Sequence, residues 1–382
     1  MTTAESSKPD PGRRAFIPIA EPSIGEREVE LVADAVRSGW VSSLGDYVVA
    51  FEDELASRCG VAHAVATSNG TTALHLALAV AGIEPGDEVI VPSLTFVATA
   101  AAVRYLGASP VLADSDRTHW CIDPGDVASR VNARTRALVA VDLYGHPADM
   151  DALASIAAEH GLVLVEDAAE ALGAAYKGRP AGGLAVLGVL SFYGNKLITT
   201  GEGGAVLTND PVLADRARFL RDHAMDPKRR YWHGEIGFNY RITNLQAALG
   251  VAQLERLDEF LERKRAIAAA YRAGLQDITG VTFQDEADWA SSSWWMTTLR
   301  FHGDEGIDRE ELAATLRADG VDSRPAFVPL HLLPPYRQQG PLPVAEAIGS
   351  EGLSLPSSAS LSDSELDYVI SSVRNAIGRV IS

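Results

Sequence analysis

The sequence predicts an α/β protein: a large domain with a mostly parallel sheet between helices, then a smaller α+β domain on the C-terminal side. Up to about residue 210, short apolar runs alternate with Ala-rich helical stretches, the pattern of parallel strands joined by covering helices. Beyond it residues 215–235 are heavily charged (DRARFLRDHAMDPKRRYWHGE), and the last hundred or so residues mix strand-like, helical and Pro-rich segments. With 382 residues, 47% of them hydrophobic and 22% charged, the chain is long enough to bury a core without disulfide staples.

In chain order, residues 1–15 are rich in Ser, Pro and charge and read as a flexible tail. Ser23-Ile24-Gly25-Glu26 has capping-box spacing, followed by Val29, Val32 and Val36 on one helical face. Buried strands are expected at 88–91, 110–113, 137–141, 162–165, 188–192 and 205–208, with helices at 72–80, 98–105 and 149–159 between them. One long helix is expected over 243–275, with Leu245, Leu249, Ala252 and Leu257 approximating a 3.6-residue period. WWMTTLRF then reads as a strand, REELAATLRADG as a helix and RPAFVPLHLLPPY as an irregular Pro-rich stretch. The division is therefore 16–250 for the large domain and 251–382 for the small one.

Lys and Arg number 33 against 51 Asp and Glu, so the formal charge is −18. That field repels nucleic acid and anionic membranes at long range, and neither is expected as a partner. Cys59 and Cys121 form no C-x-x-C pair, and the nine His residues show no ligand spacing, so no metal site is expected. No apolar run is long enough for a membrane span, and the polar start MTTAESSKPDPGRR has no apolar signal core. The expected location is the cytoplasm.

Four segments can carry chemistry. In Ser68-Asn69-Gly70-Thr71-Thr72, a Gly turn opens a helix; free N–H groups there can hold a phosphate, or Thr71 or Thr72 simply caps the helix. In LVLVEDAAEALGA, Glu166 and Asp167 end a strand at the edge where α/β sheets bind ligands; Asp167 can pair with a protonated heterocyclic nitrogen, or cap a following helix. In SFYGNKLITTGEGGAV, Lys196 stands among neutral residues. There lost solvation lowers an amine's pKa and frees a nucleophile, the alternative being a surface lysine. In IGFNYRITNLQAA, Asn239, Tyr240 and Arg241 offer donors before a helix capped by Thr243 or Asn244.

Rival motifs fail. Gly201-Glu202-Gly203-Gly204-Ala205-Val206 lacks the last glycine of a dinucleotide fingerprint, and no Walker, G-x-S-x-G, H-E-x-x-H or EF-hand pattern occurs. A phosphate cradle, a strand-end acid and a nucleophilic lysine together suit pyridoxal 5′-phosphate, whose phosphate, ring nitrogen and aldehyde need those three groups. Phe96, in VPSLTFVATA, can stack on the ring or pack in the core.

At these residues the chain resembles the DegT/DnrJ/EryC1/StrS sugar aminotransferases, which have the fold type I architecture. SGWVSSLGDYVVAFE, NGTTALHLAL, GDEVIVPSLTF, EDAAEALGA, GNKLITTGEGG, MDPKRRYW, GFNYRITNLQAA and SRPAFVPLH carry the resemblance, from about Phe16 to the C-terminus. It implies amino transfer from L-glutamate to a keto sugar nucleotide, GDP-4-keto-6-deoxymannose foremost. A 3-aminotransferase, an enzyme of dTDP- or UDP-sugars and a non-catalytic cofactor-binding protein stand as alternatives. It implies that Lys196 binds the cofactor aldehyde, Asp167 pairs with the ring nitrogen, and Gly70, Thr71 and Ser191 hold the phosphate. Asn239 is implied to reach that phosphate from a neighbouring subunit, making a homodimer with shared sites. Glu170 falls near the ring hydroxyl, where many relatives have Gln. Trp40, Ser42, Arg229, Tyr231, Arg324 and His331 fall in segments bordering the sugar nucleotide. One departure from the resemblance stands out: relatives commonly have Gly-Asp where this chain has Ala185 and Val186, and if that Asp orders the loop before Lys196, another device must do so here.

Overall fold

The computed structural model describes residues 16–337 and 340–381; the expected tail, 1–15, lies outside the described residues. The strands are β1 His63–Thr67, β2 Glu88–Pro92, β3 Ser109–Ala113, β4 Thr135–Val141, β5 Val163–Asp167, β6 Ala175–Tyr176, β7 Arg179–Pro180, β8 Leu187–Ser191, β9 Gly204–Thr208, β10 Val281–Phe283, β11 Ala290–Ser291, β12 Thr297–Phe301, β13 Arg324–Pro325 and β14 Gly352–Leu355. The central sheet has seven strands in the order β1-β9-β8-β5-β4-β2-β3. Pairs β2–β3, β2–β4, β4–β5 and β5–β8 are parallel, and β9 is antiparallel to both of its neighbours, β1 and β8. All six expected strands form, within one or two residues at either end. The sequence reading missed β1, because HAVAT is short and mostly small residues.

Alternation along each strand feeds two cores, as the two-residue period requires. Val65, Val165, Val189 and Val206 join one apolar cluster. Ala64, Ala66, Leu190, Ala205 and Leu207 join the other, with Phe51, Phe192 and Phe260. Helices α1 Glu26–Ser38, α2 Asp46–Arg58, α3 Gly70–Val80, α4 Ala98–Tyr105, α5 Pro124–Arg130, α6 Met150–His160, α7 Pro211–Arg221 and α8 Asn244–Glu255 precede the smaller C-terminal part. There α9 Leu257–Leu275, α10 Arg309–Ala318, α11 Pro343–Glu351 and α12 Asp363–Ile381 accompany the antiparallel sheet β10-β12-β14-β13. Its core includes Ile267, Leu299, Leu316, Leu353 and Val373, together with Ile17 from the other end of the chain.

Two local expectations are corrected. The helix start is Gly25, not Ser23: Glu28 Oε2 accepts the Gly25 N–H at 2.8 Å, while Gln253 donates to Glu28 Oε1 at 2.7 Å. Those bonds turn Leu31 and Ala35 onto Ala248 and Ala252, so Val29 and Val36 face outward. The single helix over 243–275 is two, separated at Arg256 (φ −109°, ψ 8°). The break lets α9 start among Phe260 and Leu261 of the large core and end among Ile267 and Tyr271 of the small one.

Candidate active site

The carboxyl ends of the parallel strands bring the reactive residues together. After β1, Asn69 caps α3: Thr72 N–H donates to Asn69 Oδ1 at 2.9 Å and Ala73 N–H to Asn69 O at 3.1 Å. The cap is thus Asn69 rather than Thr71 or Thr72. A helix leaves its first four N–H groups without intrahelical partners, so Gly70 and Thr71 keep outward donors at the positive end of α3. Ser191, ending β8, closes the same corner. A Cβ on Gly70 would lie 2.8 Å from Ser191 Cβ and 2.9 Å from its Oγ, so only glycine allows this approach.

Glu166 and Asp167 are adjacent on β5 and therefore point to opposite faces of the sheet. Asp167 turns toward the ligand edge, where Thr99 Oγ1 donates to Oδ2 at 2.9 Å and Ala169 N–H to Oδ1 at 3.2 Å. Burial raises its pKa, and Thr99, Ala169 and the Lys196 charge pull it back down. Turns follow β5, so Asp167 caps no helix. Glu166 instead accepts the N–H groups of Gly182 at 2.6 Å and Leu184 at 2.7 Å. That carboxylate anchors the loop leading to Ala185, Val186 and β8.

Lys196 Nζ lies 3.5 Å from Glu170 Oε1 and 3.8 Å from the centre of the Trp295 indole. Burial lowers the amine's pKa; Glu170 and Asp167 raise it, and Arg324 adds a further lowering. Burial likewise raises the Glu170 pKa, while its Oε2 accepts Tyr144 N–H at 2.8 Å. Burial thus pushes each of the two partners toward neutrality. Phe96 ends the β2 loop with 55% of its surface exposed and its ring 6.0 Å from Phe327.

The remaining candidates are spread out. Arg324 is exposed, acts electrostatically on Lys196, and makes no salt bridge among the described residues. His331 is buried with both ring nitrogens engaged, by Ser93 Oγ at 2.7 Å and Glu346 Oε1 at 3.0 Å. Asn239 is exposed, and its Oδ1 accepts from Arg241 at 3.2 Å. Trp40, Ser42, Arg229 and Tyr231 lie on exposed segments; the Arg229 guanidinium sits 4.0 Å over the Trp232 ring. Sequence reading missed Thr99 and Trp295. Thr99 lies one helical turn after Phe96 in a segment already singled out, whereas Trp295 lay inside an apparent strand and nothing local marks it.

The fit to pyridoxal 5′-phosphate rests on these features: a glycine-tight corner with free N–H donors, a buried carboxylate held by only two donors, and a desolvated amine. This class is a pyridoxal-phosphate-dependent aminotransferase. The model for the DegT/DnrJ/EryC1/StrS aminotransferase family matches residues 22–374, and the chain belongs to that family. It is 45% identical over 360 residues to the GDP-perosamine synthase of Caulobacter vibrioides, covering 94% of this chain and 97% of that one. It is 41% identical over 359 residues to the GDP-perosamine synthase of Escherichia coli O157:H7, covering 94% and 98%. The crystal structure of DesV from S. venezuelae superposes with a TM-score of 0.90 at 38% identity, covering 96% of this chain and 100% of that one. The protein is a pyridoxal-phosphate-dependent sugar aminotransferase of fold type I.

Proposed function

We propose that the acceptor is GDP-4-keto-6-deoxymannose, the donor L-glutamate and the product GDP-perosamine. The observation that carries this reading is the near full-length identity to two proteins named GDP-perosamine synthase. Bound at the site, pyridoxal phosphate supplies an aldehyde that takes up the donor's nitrogen and a ring that delocalises the electron pair left on breaking the Cα–H bond. Asp167 holds the proton on the ring nitrogen, its burial making that charge-assisted contact strong. Gly70 and Thr71 N–H and Ser191 Oγ bind the phosphate, and the exposed face of Phe96 receives the ring. Lys196 Nζ would carry the proton released from the donor's Cα, and in the second half-reaction would return one to the sugar carbon that receives nitrogen. Glu170, buried beside Lys196, meets the ring hydroxyl, and Arg324 offers its free guanidinium to a substrate anion. Trp40, Ser42, Arg229, Tyr231 and His331 belong to the segments bordering the nucleotide in this reading.

The working unit in this reading is a homodimer in which Asn239 reaches the partner's phosphate site. Large apolar side chains left open on two segments support it: Leu44 is 64% exposed and Ile236 89%. No helix among the described residues is long and apolar enough to cross a membrane. Two buried free thiols, Cys59 and Cys121, support a cytoplasmic location.

The test is a mass-resolved assay of the loaded enzyme with glutamate and a panel of keto sugar nucleotides. Conversion of GDP-4-keto-6-deoxymannose is expected; amination of a dTDP- or UDP-sugar alone would overturn the acceptor and keep the chemistry. Lys196→Ala should lower turnover by at least about 100- to 10,000-fold, the usual share of a positioned acid–base group.

A further inference from the structure

Trp295 is 4% exposed and held from three sides. Its indole N–H donates to Asn195 O at 2.7 Å, so the ring is tied to the backbone beside Lys196. Lys264 Nζ, on α9, donates to Trp295 O at 2.9 Å. Tyr144 stacks on the indole with centroids 6.4 Å apart and planes 17° apart, and the backbone N–H of Tyr144 holds Glu170. One assembly therefore fixes both groups that Lys196 Nζ touches.

We propose that the indole face of Trp295 is the seat of the Lys196 ammonium whenever that amine is free, which makes Trp295 a positioning residue for the proton on Nζ. The inference rests on the reading of Lys196 as the reacting amine. An aromatic face attracts the charged amine through its quadrupole and has little hold on the neutral one. Unlike a carboxylate, it cannot take the proton. A seat of this kind stabilises the protonated amine without taking its proton, and leaves the N–H groups pointing away from the ring available for transfer. The other charged groups acting on Nζ are Glu170 at 3.5 Å, Asp167, and Arg324 with opposite sign. Glu170 by itself would draw the ammonium into an ion pair; the ring offers a second, weaker well beside it.

The measurement uses the full-length chain freed of cofactor, so transaminase activity is not read. Competitive acylation of Lys196, followed by peptide mass spectrometry across a pH series, gives its apparent pKa. Phe and Leu are similar in volume and differ in having a ring face. Trp295→Leu should therefore lower the ammonium-to-amine ratio of Lys196 by roughly tenfold, while Trp295→Phe holds it within about threefold. Equal shifts in the two variants, or no downward shift with Leu, would overturn the proposal. A second measurement needs no core substitution. In the wild-type chain with ¹³C-dimethylated lysines, the Lys196 resonance, assigned by its loss in Lys196→Arg, should lie upfield of surface lysines through the indole ring current. A position among the surface lysines would overturn the proposal. If the sugar-nucleotide assay fails while these shifts appear, the seat stands and the acceptor assignment falls.

Discussion

Lys264 shows how one buried residue ties stability to the site. It is fully enclosed, its amine donates to Trp295 O, and burial lowers its pKa from 10.5 to about 7. Between those values the unfolded chain holds a proton that the folded chain has released, so raising the pH favours folding by up to about 1.4 kcal/mol per pH unit. Below the folded pKa both states are protonated and the full penalty of burying the charge applies. Above the unfolded pKa neither is protonated and the penalty is gone. Lys264→Met removes the titration and leaves Trp295 O without its donor. Relative to wild type, the variant should be at its most stable below pH 7 and lose that advantage between about pH 7 and the ordinary lysine range. Urea midpoints of the two proteins across that series check it; a pH-independent difference would show that Lys264 keeps its ordinary pKa.

Among the elements, the junction of α3 and β8 forms the proposed phosphate corner. The helix presents its N-terminus only because residue 70 has no side chain to meet Ser191. Gly70→Ala should cost about 1–3 kcal/mol of stability through overpacking and push the N–H groups off the phosphate. Thermal melts and cofactor titration read the two effects separately. Adding Ser191→Gly should restore most of the stability, since the colliding Cβ and Oγ are gone, while the lost hydroxyl leaves cofactor affinity below wild type. Failure of the double variant to recover stability would place the strain elsewhere than at this contact. On the opposite face of β5, Glu166 holds the loop 182–184 through two N–H groups, while its neighbour Asp167 faces the proposed cofactor site.

At the scale of the whole molecule, the proposed homodimer would cover the exposed Asn239 and the open apolar segments 40–49 and 231–236. Sedimentation of the loaded enzyme should give a dimer. Lys196→Ala and Asn239→Ala are both expected to be nearly inactive alone. Mixed and refolded together, they should recover about a quarter of wild-type activity, because half the dimers are mixed and each mixed dimer has one intact site. No recovery would mean that both residues act within one chain.

Much of this was legible in the chain itself. The apolar runs marked six of the seven strands of the central sheet, because most of their residues are buried and composition alone reports that. Asp167 drew notice as an acid ending an apolar run, Gly70 as a turn opening a helical stretch, and Lys196 as a lysine among neutral residues. Other features depended on contacts distant in sequence. Trp295 reaches Lys196 across 99 residues, and Thr99 reaches Asp167 across 68, so no local pattern announces either. The break at Arg256 and the outward turn of Val29 likewise follow from packing between α1, α8 and the two cores. Periodicity says that a residue is buried; only the assembled fold says against what, and at an active site that partner sets the charge on the reacting atom.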